Sequence, residues 1–141
     1  VSDTTPTPEI TFADAIALYL AEKGHGIAGQ SMFSSYPPDD STTPDEAAGV
    51  VSRVGVVDQA FGVLYGRPNA SIVVRGAPND SAAAERRAWA IWRELSNLTD
   101  EIPGVPFVSV GPSQTPAPTE PDSKRRERYT FDLEIYLDEL T

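Results

Sequence analysis

No cysteine occurs in the chain. Disulfide staples, thiolate metal sites and a cysteine nucleophile are therefore excluded. Histidine is nearly as scarce, with His25 alone, and one imidazole rules out most zinc and non-haem iron ligand sets. No apolar run approaches the ~18 residues of a membrane-spanning helix. The N-terminus lacks a basic stretch followed by an apolar one, so no secretory signal is expected. Together these point to a soluble protein of the cytoplasm, or of something assembled there, with no membrane partner. Basic residues are few: 11 Lys and Arg stand against 21 Asp and Glu, a formal charge of −10. Such a chain is a poor general ligand for nucleic acid, because that affinity comes mainly from neutralised phosphates.

Recognisable catalytic motifs are missing too. The glycine pieces around Gly24–Gly26 and Gly62–Gly66 form neither a phosphate loop nor a dinucleotide fingerprint. No Gly-x-Ser-x-Gly elbow is present. The carboxylate pairs Asp39-Asp40 and Asp45-Glu46 lie in a Pro/Ser/Thr-rich stretch without the glycine and spacing of a calcium loop. They read as a solvated loop. His25 sits between two glycines after a helix, where a cationic ring suits the helix dipole. No catalytic residue, cofactor or metal is expected, and the chain reads as a non-enzyme.

What is present is a scaffold. Most of the 13 prolines gather near the N-terminus, at Pro37-Pro38 and between Pro103 and Pro121. Residues 1–10 read as a flexible arm. Residues 11–141 are expected to form a single domain, since a chain of this size can hide about two-thirds of its unfolded surface. A first helix is expected over 11–23, capped by Thr11, with Phe12, Ile16, Tyr19 and Leu20 as its apolar stripe and Gly24 ending it. Short strands are expected at 31–36 and 49–57, with a loop favoured over 58–65.

The strongest local signal is residues 67–98. An Ile/Val-rich strand at 70–75 is followed by a break at 76–81, where Asn79, Asp80 or Ser81 can cap a helix. Ala84, Ala88, Ile91, Trp92, Leu95 and Leu98 then recur at helical spacing. A turn at 97–104 leads to a strand at 105–110. Residues 111–123 form a proline-rich loop, flexible or ordered by a partner. The last strand, 127–138, alternates cleanly: Tyr129, Phe131, Leu133, Ile135 and Leu137 on one face, polar residues on the other. The order αβββαββ implies an α+β fold: a four- to five-stranded, mostly antiparallel sheet with two helices packed on one face.

Three features invite a partner. Trp89 lies at the edge of the second helix's apolar stripe, where a part-exposed indole often anchors an interface. Lys124, Arg125, Arg126 and Arg128 form a basic run beside the proline-rich loop, fit for an acidic partner or for DNA. Asp132, Glu134 and Asp138 make the outer face of the last strand acidic.

With these elements placed, the chain resembles the minor capsid and tail-terminator proteins of tailed bacteriophages. The stretches that carry the resemblance are 17–24 with His25-Gly26 and 33–40, then 66–76 with its following helix, then 128–137. The resemblance implies a virion structural protein at the head–tail junction without an active site. It implies a ring, usually of six copies, that caps the tail-tube protein and docks the neck or connector proteins. DNA would pass through the lumen as cargo only, and acidic walls formed by Asp132, Glu134 and Asp138 would repel it. The alternatives are a head-completion or connector ring on the capsid side, a free adaptor and, more distantly, a small acidic enzyme built around His25.

Overall fold

A computed structural model describes residues 12–60, 63–96 and 107–137. The expected arm at 1–10, the Thr11 cap, the turn at 97–104, Leu98 and Asp138 lie outside them. Helix α1 (Phe12–Glu22) is followed by strands β1 (Met32–Phe33), β2 (Ala47–Ala60) and β3 (Val63–Pro78). Helix α2 (Ser81–Ser96) comes next, then β4 (Phe107–Pro112), β5 (Ala117–Thr119) and β6 (Arg126–Leu137). The strands form one six-stranded sheet in the order β1-β2-β3-β6-β4, with β5 paired further along the free edge of β6. Among the described strand pairs, β1–β2 is parallel and the others are antiparallel.

The α+β order stands as expected, and β5 adds a strand to it. Residues 117–119 pair with Thr130, Tyr129 and Arg128 of β6, so the proline-rich segment is pinned to the sheet rather than loose. Prolines suit this site, because an edge strand need not donate outward. Of the loop expected at 58–65, residues 58–60 and 63–65 are instead paired backbone: Ala60 faces Val63, Gln59 faces Leu64 and Asp58 faces Tyr65. At Gly66, paired with Val57, ladder pairing outweighs the weak local preference of glycine for loops. A register shift between Arg53 and Val56 marks a bulge in this ribbon.

Both helices pack on one face of the sheet and share one core. Ile16, Leu20, Ile91 and Leu95 meet Val50, Ile72, Phe131 and Leu133, all essentially inaccessible to solvent. Each such side chain contributes about 1.5–3 kcal/mol by leaving water. β3 runs through Gly76, expected as part of a break, because a side chain there would crowd the Cβ of Ala84 at 2.8 Å. The bare backbone lets α2 lie close. Asp80 is the cap, its Oδ1 accepting from Ala83 N–H at 3.2 Å.

The opposite face is partly covered by the chain after β1. A Cβ on Gly49 would overlap the carbonyl oxygen of Ser35, so this segment crosses directly over β2. Beneath it Ser71, Val73 and Arg75 of β3 are buried.

Candidate functional site

Two arginines from adjacent strands hold the segment between β1 and β2. Arg75 is 3% exposed. Its Nε donates to Asp45 O (2.9 Å), Nη1 to Pro37 O (3.1 Å) and Pro38 O (3.0 Å), and Nη2 to Pro44 O (2.8 Å). Every branch of the guanidinium ends on a carbonyl, which only the planar fork of arginine can supply.

Arg126 does the same for carboxylates. Its side chain is 2% exposed, with Nε donating to Asp122 Oδ2 (2.8 Å), Nη1 to Asp45 Oδ1 (3.1 Å) and Nη2 to Asp39 Oδ1 (2.9 Å). Lys124 Nζ adds a second cation at 2.8 Å from Asp39 Oδ1. Burial opposes the Arg126 charge, yet its bonds to Asp122 and Asp39 outweigh that and raise its pKa. Bonds from Lys124 and then Arg126 hold the Asp39 carboxyl below the ordinary 3.8. Asp40, beside it, is lowered by hydrogen bonds from Thr43 and Thr42, whose hydroxyls both donate to its Oδ1 at 2.9 Å.

Two sequence-based expectations therefore change. The 39–46 carboxylates are not simply a solvated loop, because Asp39 and Asp45 supply two of the three carboxylates around Arg126. The basic run is not one outward-facing patch either. Asp122 Oδ1 accepts from the N–H of Lys124 (2.9 Å) and of Arg126 (3.1 Å). Arg125 takes a positive φ of 60° within that turn. The turn sends Lys124 and Arg125 to the surface and Arg126 inward.

Arg128 lies half-buried on the outer sheet face, its Nη2 donating to Glu120 O at 3.2 Å. Its Nε is buried with no hydrogen-bond partner among the described residues. Beside it is a groove of about 240 Å³ walled by Tyr36, Val73, Thr119, Arg128, Thr130 and Asp132. Asp132 accepts from Ser71 Oγ at 2.7 Å. Asp132 and Glu134 alternate with the buried Phe131 and Leu133, which puts both on the face away from the helices. Sequence reasoning missed Arg75, Asp45, Asp122 and Tyr36 as parts of this face. The available signal was an arginine inside an Ile/Val strand, which must find partners if buried.

His25 ties the helices together. Its Nε2 lies 3.0 Å from Glu94 Oε1, Tyr19 OH donates to Glu94 Oε2 at 3.4 Å, and Arg87 Nη2 donates to His25 O at 2.8 Å. Arg87 and Glu94 thus mark the flank of α2 that faces α1. The other flank carries the tryptophans. Trp92 Nε1 donates to Gln114 O at 2.7 Å, on the β4–β5 side. Half-buried Trp89 packs edge-on against Trp92, with ring centroids 5.3 Å apart.

Among the described residues no group of three His, Cys, Asp or Glu stands close enough to hold a metal ion, and no helix is long and apolar enough to cross a membrane. A family model for bacteriophage tail terminator proteins matches residues 19–139. No curated protein sequence matches the chain. Among solved structures, a chain described as "Virion of native gene transfer agent (GTA) particle" superposes with a TM-score of 0.63 at 13% identity. The superposition covers 93% of this chain and 98% of that one, so the two share a fold.

Proposed function

The chain belongs to the bacteriophage tail terminator protein family, and from that premise we propose that it assembles as a ring, of six copies, that caps the tail tube and docks the neck. Its role is structural and its place is the virion, in contact with other tail and neck proteins. The observation that carries the reading is the family match over residues 19–139. The ionic groups of the outer face, which hold chain segments together, are consistent with a structural role.

The charge fits the same reading. A ring that passes DNA must not bind it, and a chain of formal charge −10 repels phosphate. In this reading Asp132 and Glu134, on the outward face of β6, line or approach the lumen together with Asp138. A ring structure with all three on its outer rim would remove that part of the proposal. Lys124, Arg125 and Arg128 then serve contacts with acidic neighbours.

Particle morphology in the absence of the protein tests the role. Overlong or headless tails are the expected result. Empty or unjoined heads would assign the protein to the connector on the capsid side instead.

A further inference from the structure

We propose that neighbouring copies meet head to tail, with the Arg86–Trp89–Arg93 stripe of α2 in one copy seated on the Asp14–Leu18–Glu22 stripe of α1 and its adjoining cavity in the next. This rests on the ring reading above and names the surfaces that close the ring. A cyclic assembly of three or more identical chains requires two different patches on each copy, because a self-complementary patch ends at a dimer. The fold carries two such patches at opposite ends of its sheet.

The first lies at the β1 edge, beneath α1. Leu18 is 48% exposed and Ile27 58% exposed, two of the three exposed large hydrophobic residues described. Beside Leu18 opens a cavity of about 410 Å³, walled mainly by Ala17, Leu18, Ala28, Met32 and Phe33, with Asp14 among its lining. This is larger than an indole ring. Asp14, Leu18 and Glu22 follow at i, i+4 and i+8, so they form one stripe with an acidic residue at each end.

The second lies on the flank of α2 turned toward β4 and β5. Trp89 is held by Trp92, which the Gln114 carbonyl fixes in turn. An aromatic ring fixed before contact loses little freedom on binding. Arg86 and Arg93 are exposed one turn to either side of it. Tryptophan and arginine are the side chains most enriched at interface hot spots.

The two stripes match in charge and length. Basic–aromatic–basic faces acidic–aliphatic–acidic, and at 1.5 Å per residue the charged ends are about 10 Å apart on α2 and about 12 Å on α1. Opposite charge favours this pairing, while two Arg86–Arg93 stripes or two Asp14–Glu22 stripes repel each other. The same complementarity thus selects the head-to-tail contact over a symmetric dimer.

The chain's lack of cysteine makes the test clean. In assembled particles carrying L18C and R86C together, a short thiol-reactive bismaleimide should give a ladder of covalent multimers. Each single variant should stay monomeric. A dimer from either single variant would reveal same-patch pairing and overturn the proposal. A ring visible by electron microscopy without a ladder would overturn this contact and leave the ring reading standing. Cross-links to the tail-tube protein in place of a ladder would give the face to the tube and also overturn it. Particles without a ring of this protein would overturn both readings. Independently, R86E and E22R should each lower the assembled fraction about twofold to fivefold, and together restore it. Failure of the pair to restore assembly overturns the proposal, whereas W89A should weaken assembly about thirtyfold.

Discussion

Arg126 and Asp45 are 81 positions apart in sequence, and Arg126 Nη1 reaches Asp45 Oδ1 at 3.1 Å. The pair joins the start of the last strand to the segment that crosses the outer sheet face. Arg126→Met should destabilise the fold by about 1–3 kcal/mol through lost charge-assisted bonds. The cost stays below that of breaking a fully buried pair, because Asp39 and Asp45 are half exposed and rehydrate. Urea denaturation should show a lowered midpoint, and limited proteolysis should show faster cleavage within residues 37–46. Asp45→Asn should cost less than Arg126→Met by the same measurement.

Acid should weaken the same cluster. The carboxyls of Asp39 and Asp122 lie below the ordinary 3.8 in the folded chain. Burial alone would raise Asp122, but hydrogen bonds from Arg126 overcome it. A carboxyl with a depressed folded pKa takes up protons more readily when unfolded. Its stabilisation is therefore complete above the unfolded value and is lost as pH falls through the folded one. The thermal midpoint should drop below about pH 4, and the drop should be shallower in Arg126→Met, which loses the guanidinium bonds to both groups while Lys124 still holds Asp39.

Gly49→Ala should be costly although alanine favours most contexts over glycine. The new methyl group would overlap the Ser35 carbonyl and crowd Pro37 Cδ at 3.3 Å. Displacing that segment should cost about 1–3 kcal/mol, read as a fall in denaturation midpoint. Ala48→Gly, one residue away, removes a buried methyl group and serves as a control for a change without overlap.

His25→Ala tests whether the imidazole does chemistry or bracing. The ring meets Glu94 at 3.0 Å and serves to join the end of α1 to α2. Loss of a part-buried pair should cost about 1 kcal/mol or less, while particle assembly and infectivity persist. Loss of infectivity with an unchanged melting curve would return the catalytic reading of His25.

Trp92→Phe should separate packing from hydrogen bonding on the opposite flank. The phenyl ring keeps much of the apolar contact but cannot donate to Gln114 O. A loss of about 0.5–1.5 kcal/mol is expected. Faster amide exchange near residue 114 would confirm that the indole N–H holds that segment.

Much of the scaffold was legible because local periodicity and burial agree. The stripe on α2 and the alternation through Phe131 and Leu133 are written in residue spacing, and both became core. Residues 58–60 and 63–65 were not legible, since the glycines near them favour loops locally and only pairing between β2 and β3 makes these residues strand. The proline-rich loop was misread for a related reason. Its composition forbids a central strand but permits the edge position beside β6 that it occupies.

The contact surfaces divide the same way. Sequence alone determined that this chain carries no thiol chemistry, strong negative charge, two amphipathic helices and a closing strand with one wet face, because each of these is a count or a short-range spacing. It also marked Trp89 as the edge of a helical stripe. Only the tertiary structure decided that Arg126 turns inward among Asp39, Asp45 and Asp122 while Lys124 and Arg125, its neighbours, face solvent. Only the fold set Leu18 and Trp89 at opposite ends of one sheet. Partnerships across 80 residues depend on chain reversal and register, and no local propensity encodes those.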